Sequence, residues 1–311
     1  NIKVFSDEEA YPYMTWIGEE VDEAYYKEVM AIEVNSGMDK SDFKIVFSPQ
    51  HGTSNIAVRT CLTRLGYDLV PVLAQCAPDP DFSNTKSPNP EVPASYELAI
   101  KKAKEVDADV VVITDPDGDR LGVVAKHNGE YVLMSGNQSA AVYLEYILSQ
   151  MKEKGTLPDN AVMYNTIVTS DLGELVARSY GVDVEKTLTG FKFIGDKIRK
   201  YEQTHEKTFV FGYEESYGCV IKDFVRDKDG NYYKKQGKDL VDVLNELYAK
   251  HGTFKETQIA LAKAGAAGAA RIKEIMDNLR KDAPQEIGGV KVVKVEDYGN
   301  STCSDGTTIQ L

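Results

Sequence analysis

The chain is poor in the residues that mark several functional classes. It has four cysteines, four histidines and one tryptophan in 311 residues. Cys61, Cys76, Cys219 and Cys303 lie far apart, with no pair at metal-ligand spacing, so buried or incidental thiols in a reducing cytoplasm are expected. Basic residues are short too: 36 Lys and Arg stand against 49 Asp and Glu, a net charge of -13. This argues against nucleic acid or an anionic membrane as partner, since either asks for a basic face. A small anion is not excluded, because it reads a local site. No apolar run is longer than a strand, so no transmembrane helix is expected. The first residues lack the basic and apolar segments of a signal peptide.

What is present is ordinary globular composition, 42% hydrophobic and 27% charged, in a chain long enough for two domains. "KIVFS" (44–48), "DLVPVL" (68–73) and "VVVIT" (110–114) read as strands. Helices are expected over 54–66 and 92–109, with a Pro/Asn-rich loop from Ala77 to Pro93 between them. "LGVVAKHNGEYVLM" reads as a hairpin turning at Asn128-Gly129. The amphipathic stretch 139–155 is stopped by Gly155 and Pro158. The rhythm then resumes with strands at 162–168, 184–188, 208–212 and 218–221, and helices at 171–180, 195–202, 239–250 and 267–280. No internal repeat interrupts it. Such alternation predicts two three-layer α/β domains with mixed sheets flanked by helices, with a boundary near Gly155–Asn160. The first 40 and last 20 residues fit neither core and read as extensions.

"TDPDGDR" carries the sharpest chemistry. Asp115, Asp117 and Asp119 follow a strand, at the sheet end where α/β proteins place ligands. Alternate carboxylates on a turn can aim at one point and suit Mg²⁺ or a similar hard cation. Like charges also have little reason to cluster on an exposed turn. Arg120 adds an anion-seeking fork beside them. An EF-hand fails, because Arg120 stands where its loop needs Gly and Lys126 where it needs Glu; "RDKDGNYYK" (226–234) fails likewise at Tyr232. An aspartyl-phosphate phosphotransferase, with an aspartate as nucleophile, stays open as a rival. "SPQHGTSN" (48–55) offers N–H groups to an anion, or merely a helix cap at Ser54. "TLTGFKFIG" (187–195) puts Thr189, Gly190 and Lys192 at a strand–helix turn. "FGYEESYGC" (211–219) sets Glu214, Glu215 and Ser216 in a tight loop able to accept sugar hydroxyls.

In this order and spacing "HGTSN", "TDPDGDRLGV", "LTGFKFIG" and "GYEESYG" resemble the α-D-phosphohexomutases, most of all the bacterial phosphoglucomutases and phosphomannomutases. "CAPDPDFSNTKSPNPEVPASYELAI" is similar to the same branch, and the resemblance runs from Trp16 to Tyr298. It implies a four-domain enzyme, cytoplasmic, interconverting sugar 1- and 6-phosphates through a phosphoserine and a bisphosphate intermediate. The domains implied are 1–156 for the metal and 157–297 for the sugar, with 298–311 as a linker. Asp115, Asp117 and Asp119 would hold Mg²⁺, and Arg120 and Lys228 would line the reacting phosphoryl group. Thr189, Gly190, Lys192, Glu214 and Ser216 would bind the sugar phosphate, with glucose favoured by the branch.

No "TASHNP"-like serine segment or "RPSGTEP"-like phosphate loop occurs in these residues. Partner domains on both sides are therefore expected, and the 311 residues alone are expected to be inactive. Relatives also carry a helix where only Gly230-Asn231 stands, which should expose part of the second sheet near Lys228. A sugar-phosphate-binding module without turnover is the other alternative.

Overall fold

The computed structural model describes residues 4–223, 239–256, 265–297 and 302–303. Two compact units divide the chain, Asn1–Phe254 and Lys255–Leu311. The first unit opens with a short helix α1 (Asp7–Ala10), capped by Ser6 in a capping box with Glu9, and then α2 (Glu19–Met30). Two sheets follow. The first has the order β2-β1-β3-β4-β5, from β1 (Lys44–Ser48), β2 (Asp68–Pro71), β3 (Val110–Thr114), β4 (Leu121–His127) and β5 (Glu130–Leu133). β1 runs parallel to β2 and β3, and β4 and β5 add antiparallel. α3 (Ser54–Arg64) and α4 (Glu97–Val106) make the crossovers. The β4–β5 hairpin turns at Asn128 and Gly129, whose φ of 49° and 83° are the left-handed pair such a two-residue turn needs.

The second sheet repeats this plan in the order β7-β6-β8-β9: β6 (Ala161–Thr166), β7 (Asp183–Thr187), β8 (Thr208–Tyr213) and β9 (Cys219–Val220). β6 is parallel to β7 and β8, and β9 closes the edge antiparallel. α6 (Leu172–Ser179) and α7 (Phe191–Thr204) connect them, and α8 (Leu240–His251) follows. The sequence pattern explains the layering. Ile45 and Phe47 face one side of the first sheet and Val46 the other, and all three are fully buried. A strand covered on both faces reads as a continuous apolar run. Val46, Val111, Ile113 and Val124 pack on Ala99 and Ala103 of α4. Val162 and Tyr164 pack on Phe191, Ile194 and Ile198 of α7.

The remaining faces of both sheets share one core with α5 (Gly136–Glu153), α6 and α8. α5 buries 11 of its 18 residues, more than a one-sided surface helix does. Its start is fixed by a capping box, Ser135 with Gln138. The sequence boundary near Gly155–Asn160 falls inside the first unit, in the turn between α5 and β6. The lead-in is less detached than the sequence suggested: Tyr26 and Ile32 are buried, and Arg64 of α3 pairs with Glu23 of α2 at 2.7 Å. In the second unit α9 (Gly265–Lys281) precedes two antiparallel pairs, β10 (Glu286–Ile287) with β11 (Val290–Lys291) and β12 (Glu296–Asp297) with β13 (Thr302–Cys303), and Arg280 pairs with Asp297 at 2.9 Å.

Candidate functional site

Both sheets direct their parallel strands so that carboxyl ends carry the polar loops. Thr114 ends β3 and hands the chain to Asp115; Tyr213 ends β8 and hands it to Glu214. Donor oxygens of Asp115, Asp117 and Asp119 lie within 4.8 Å of one another. Asp115 is buried, Asp119 half-buried and Asp117 exposed, so the cluster has a closed base and an open mouth. Asp115 accepts a 3.1 Å hydrogen bond from the Arg120 backbone N–H. Even so its carboxyl is pushed up to about 7, first by burial and then by the charges of Asp119 and Asp117. Closely grouped hard oxygens that resist ionising together are the donor set a divalent cation suits. Beside them a cavity of about 320 Å³, walled by α2, α3 and the sheet, is also lined by Thr114, Asp117 and Arg120.

Arg120 lies close to four acceptors and hydrogen-bonds two of them through its side chain. Its Nη1 donates to Glu91 at 2.7 Å and lies 3.5 Å from Asn89 Oδ1, while its Nε lies 3.5 Å from Asp115 and 3.8 Å from Asp119. Glu91 and Asn89 belong to the Pro/Asn-rich loop, to which the sequence alone attached no role. Only the density of Pro and Asn there hinted at a fixed conformation.

The "SPQHGTSN" loop acts as a brace, and two of the N–H groups it offered to an anion are taken by carbonyls. The Thr53 N–H donates to the Pro116 carbonyl at 2.8 Å and the Gly52 N–H to that of Pro49. The Ser54 hydroxyl meets Thr114 at 2.6 Å and makes no cap. A side chain at Gly52 would come within 2.4 Å of Pro116 backbone atoms, so only glycine allows this contact. Gln50 and His51 both take left-handed φ, 49° and 64°, a strain held by neighbours such as the Gln75 carbonyl, which accepts from the His51 N–H.

On the second sheet Glu214 is buried, and its Oε1 accepts the Gly190 N–H at 2.8 Å. The Ser216 hydroxyl is 3.4 Å from Glu214 Oε2. Gly190, at φ 121°, precedes α7, which starts at Phe191, four residues earlier than its periodicity indicated. That places Lys192 in the first turn, exposed, with Nζ 5.0 Å over the Phe193 ring. Thr189 is exposed beside it. Glu215 turns away to Thr166, whose hydroxyl donates to it at 3.0 Å. Lys228 and the short 229–232 segment lie outside the described residues. The two loops meet: the Leu121 N–H, next to Arg120, donates to the Tyr217 carbonyl at 2.9 Å. The aspartates, Arg120, Gly190, Glu214 and Ser216 are thus brought to one region. Among the described residues, no helix is long and apolar enough to cross a membrane.

Comparisons with known proteins agree with this architecture. The phosphoglucomutase/phosphomannomutase α/β/α domain II matches residues 23–129 and domain III matches 135–251. The chain is 36% identical to a phosphoglucomutase of Staphylococcus epidermidis over 299 residues, 92% of this chain and 53% of that protein. It spans about half the length of the curated relatives it matches. Among solved structures, a Thermus thermophilus protein assigned as a phosphomannomutase superposes with a TM-score of 0.58 at 20% identity, over 76% of this chain and 52% of that one. A phosphoglucomutase/phosphomannomutase family protein of Burkholderia thailandensis gives 0.54 at 20% identity, over 86% and 52%. At that identity the two structures speak for the fold alone. With two domain matches in tandem and a relative aligned along nearly the whole of the present chain, the chain belongs to the phosphoglucomutase/phosphomannomutase family of the α-D-phosphohexomutase superfamily, of which it carries the central domains.

Proposed function

We propose that these residues form the metal and sugar half of a mutase that interconverts a sugar 1-phosphate and 6-phosphate, with glucose as the sugar. The observation that carries the reading is the junction of the two loops: three convergent carboxylates and Arg120 on one side of the Leu121–Tyr217 hydrogen bond, Glu214 and Ser216 on the other. Asp115, Asp117 and Asp119 would hold Mg²⁺, which when bound withdraws charge from the transferring phosphoryl oxygens. Arg120 grips the same phosphoryl group from the loop mouth and helps keep it in line with its acceptor, which is where phosphoryl-transfer catalysis chiefly lies. Glu214 and Ser216 accept and donate hydrogen bonds to sugar hydroxyls. Thr189, Gly190, Lys192 and Lys228 bind the sugar phosphate, Lys228 beside the reacting group.

A phosphoserine and a bisphosphate intermediate complete the cycle, with the serine and the distal phosphate loop supplied by other domains of the whole enzyme. The 311 residues alone then bind sugar phosphate without turning it over. The test is a coupled assay from glucose 1-phosphate to glucose 6-phosphate on the purified chain with added glucose 1,6-bisphosphate, beside calorimetric titration with glucose 1-phosphate. No turnover and weak binding, lost in Glu214→Ala, is the expected result. Turnover of roughly 1–10³ per second, the usual enzymatic range, would put a nucleophile inside these residues and overturn the assignment of roles. Binding unchanged in Glu214→Ala would remove Glu214 from the sugar site.

A further inference from the structure

Glu91 stands on a loop whose geometry is unusually well fixed for a surface carboxylate. Pro90 before it is buried, and the carbonyl of Pro90 accepts the hydroxyl of Tyr96, which is fully buried. Both press on Gly122, where a Cβ would lie 1.9 Å from the Tyr96 hydroxyl and 2.9 Å from Pro90 Cβ. Gly122 is two residues after Arg120, so the loop is seated on the start of β4, the strand that Arg120 leads into. Ser95, also buried, ties the loop again through 2.6 Å hydrogen bonds to the carbonyls of Ser87 and Asn89. The Glu91 N–H in turn donates to Asn89 Oδ1 at 3.0 Å. An exposed ion pair between two loose side chains contributes little, because fixing both consumes their entropy. Here the backbone beneath the carboxylate is held by the fold, so less freedom is lost on the glutamate's side of the pair.

Arg120 has two sets of carboxylates to choose from. Its Nη1 is with Glu91 at 2.7 Å, and its Nε is already within 3.5 Å of Asp115 and 3.8 Å of Asp119. A guanidinium offers donors in a fork that matches carboxylates two at a time. Freed from Glu91, it would turn that fork fully onto Asp115 and Asp119, neutralising them in the place of a cation. The geometry points to Glu91 as a positioning residue: it holds Arg120 off the aspartates, keeping them open to a divalent cation and the guanidinium facing the loop mouth. The inference rests on the proposed cation role of the aspartates, and its test separates the two.

Mg²⁺ affinity is measured by calorimetry on the 311-residue chain and on Glu91→Gln, Arg120→Ala and the double variant. Glu91→Gln should weaken Mg²⁺ binding roughly three- to fivefold, the scale of a part-exposed ion pair, with the melting temperature little changed. In the Arg120→Ala background the same change should do nothing, because no guanidinium is left to restrain. Equal weakening in both backgrounds would mean that Glu91 acts only as a distant charge, and no weakening in the wild-type background would overturn the proposal outright. Lys86→Ala, which breaks the Lys86–Glu97 pair beside the same loop, is the control and should leave affinity alone. If the unaltered chain takes up no Mg²⁺, the cation reading fails, and Glu91 is judged on metal-free protein by phenylglyoxal modification of Arg120, read by peptide mass. Glu91→Gln should slow modification at least about threefold as the fork closes on buried Asp115; an unchanged or faster rate overturns the restraint.

Discussion

The aspartate loop and the glutamate loop use the same functional group in opposite ways. Asp115 is buried with two neighbouring carboxylates and a single backbone N–H donor, and its affinity for a proton rises to about 7. Glu214 is buried as deeply, yet the Gly190 N–H meets one oxygen and the Ser216 hydroxyl approaches the other. A buried carboxylate is tolerated when donors converge on it and strained when other acids crowd it and its hydrogen-bond donors are few. On the proposed reading the first loop would take a cation, while the second would share its hydrogen bonds with a neutral polyol. The glycines differ in the same sense. Gly118 needs its left-handed φ of 81° and has space around it, whereas Gly136 needs close approach, since a Cβ there would lie 2.1 Å from the Glu215 carbonyl oxygen.

That contrast yields the largest expected effect. Gly136→Ala has no flexible side chain to displace, only the backbone of the glutamate loop, and should cost about 3 kcal/mol, the upper part of the range for overpacking. Gly118→Ala meets nothing closer than 3.5 Å and should cost about 1 kcal/mol, from backbone strain alone. Urea midpoints of the two variants give the comparison, and equal losses would erase the distinction between the loops.

Next is the cation itself. At about 100 times its dissociation constant, Mg²⁺ should stabilise the chain by roughly 2.7 kcal/mol. Asp117→Asn should abolish that gain, because the exposed Asp117 forms the open mouth of the cluster. Glu214→Ala should leave it intact. A melting temperature that rises with Mg²⁺ as much in Asp117→Asn as in the parent would reduce the aspartates to a turn.

The sign of the pH dependence follows from the direction of the Asp115 shift. Its folded value, about 7, lies above the ordinary 3.8, so between these limits the folded chain holds a proton that the unfolded chain has released. Stability of the metal-free protein contributed by this group is therefore complete below about pH 4 and is lost as pH rises toward 7. Proton and cation compete, so Mg²⁺ should bind more weakly at pH 6 than at pH 8. Thermal melts of chelator-treated protein between pH 5 and 7.5 should fall more steeply for the parent than for Asp115→Asn. Parallel curves would show that Asp115 is ionised throughout.

Much of this was legible in the sequence because the relevant physics is local. "KIVFS" and "VVVIT" are bounded as expected, and Asn128-Gly129 specified its turn. The aspartates announced themselves by spacing. What the sequence concealed was long-range. The start of α7 moved back to Phe191 because tertiary contacts bury Phe191 and Ile194, which a short periodic window discounts. The bracing role of Gly52 exists only because Pro116 arrives 64 residues later. Glu91 is no different in sequence from any exposed acid, and its pairing with Arg120 depends on Tyr96 and Gly122 meeting in the core.

Lys192 completes the comparison as the cation by the second loop, and its expected effect is the smallest. Arg120 is held among three carboxylates, whereas Lys192 is exposed in the first turn of α7 with its ammonium over a neighbouring ring. An exposed cation–π contact contributes about 0.5–1 kcal/mol. A positive charge at a helix N-terminus opposes the helix dipole by a similar amount, so the two nearly cancel. Lys192→Ala should therefore shift stability by less than about 0.5 kcal/mol, as surface substitutions usually do. If Lys192 contacts the phosphate of a bound sugar, that quiet variant should still bind glucose 1-phosphate more weakly, and the parent's affinity should fall more steeply with salt than the variant's. A loss of stability above about 1 kcal/mol would make Lys192 structural, and identical salt curves would remove it from the phosphate's surroundings.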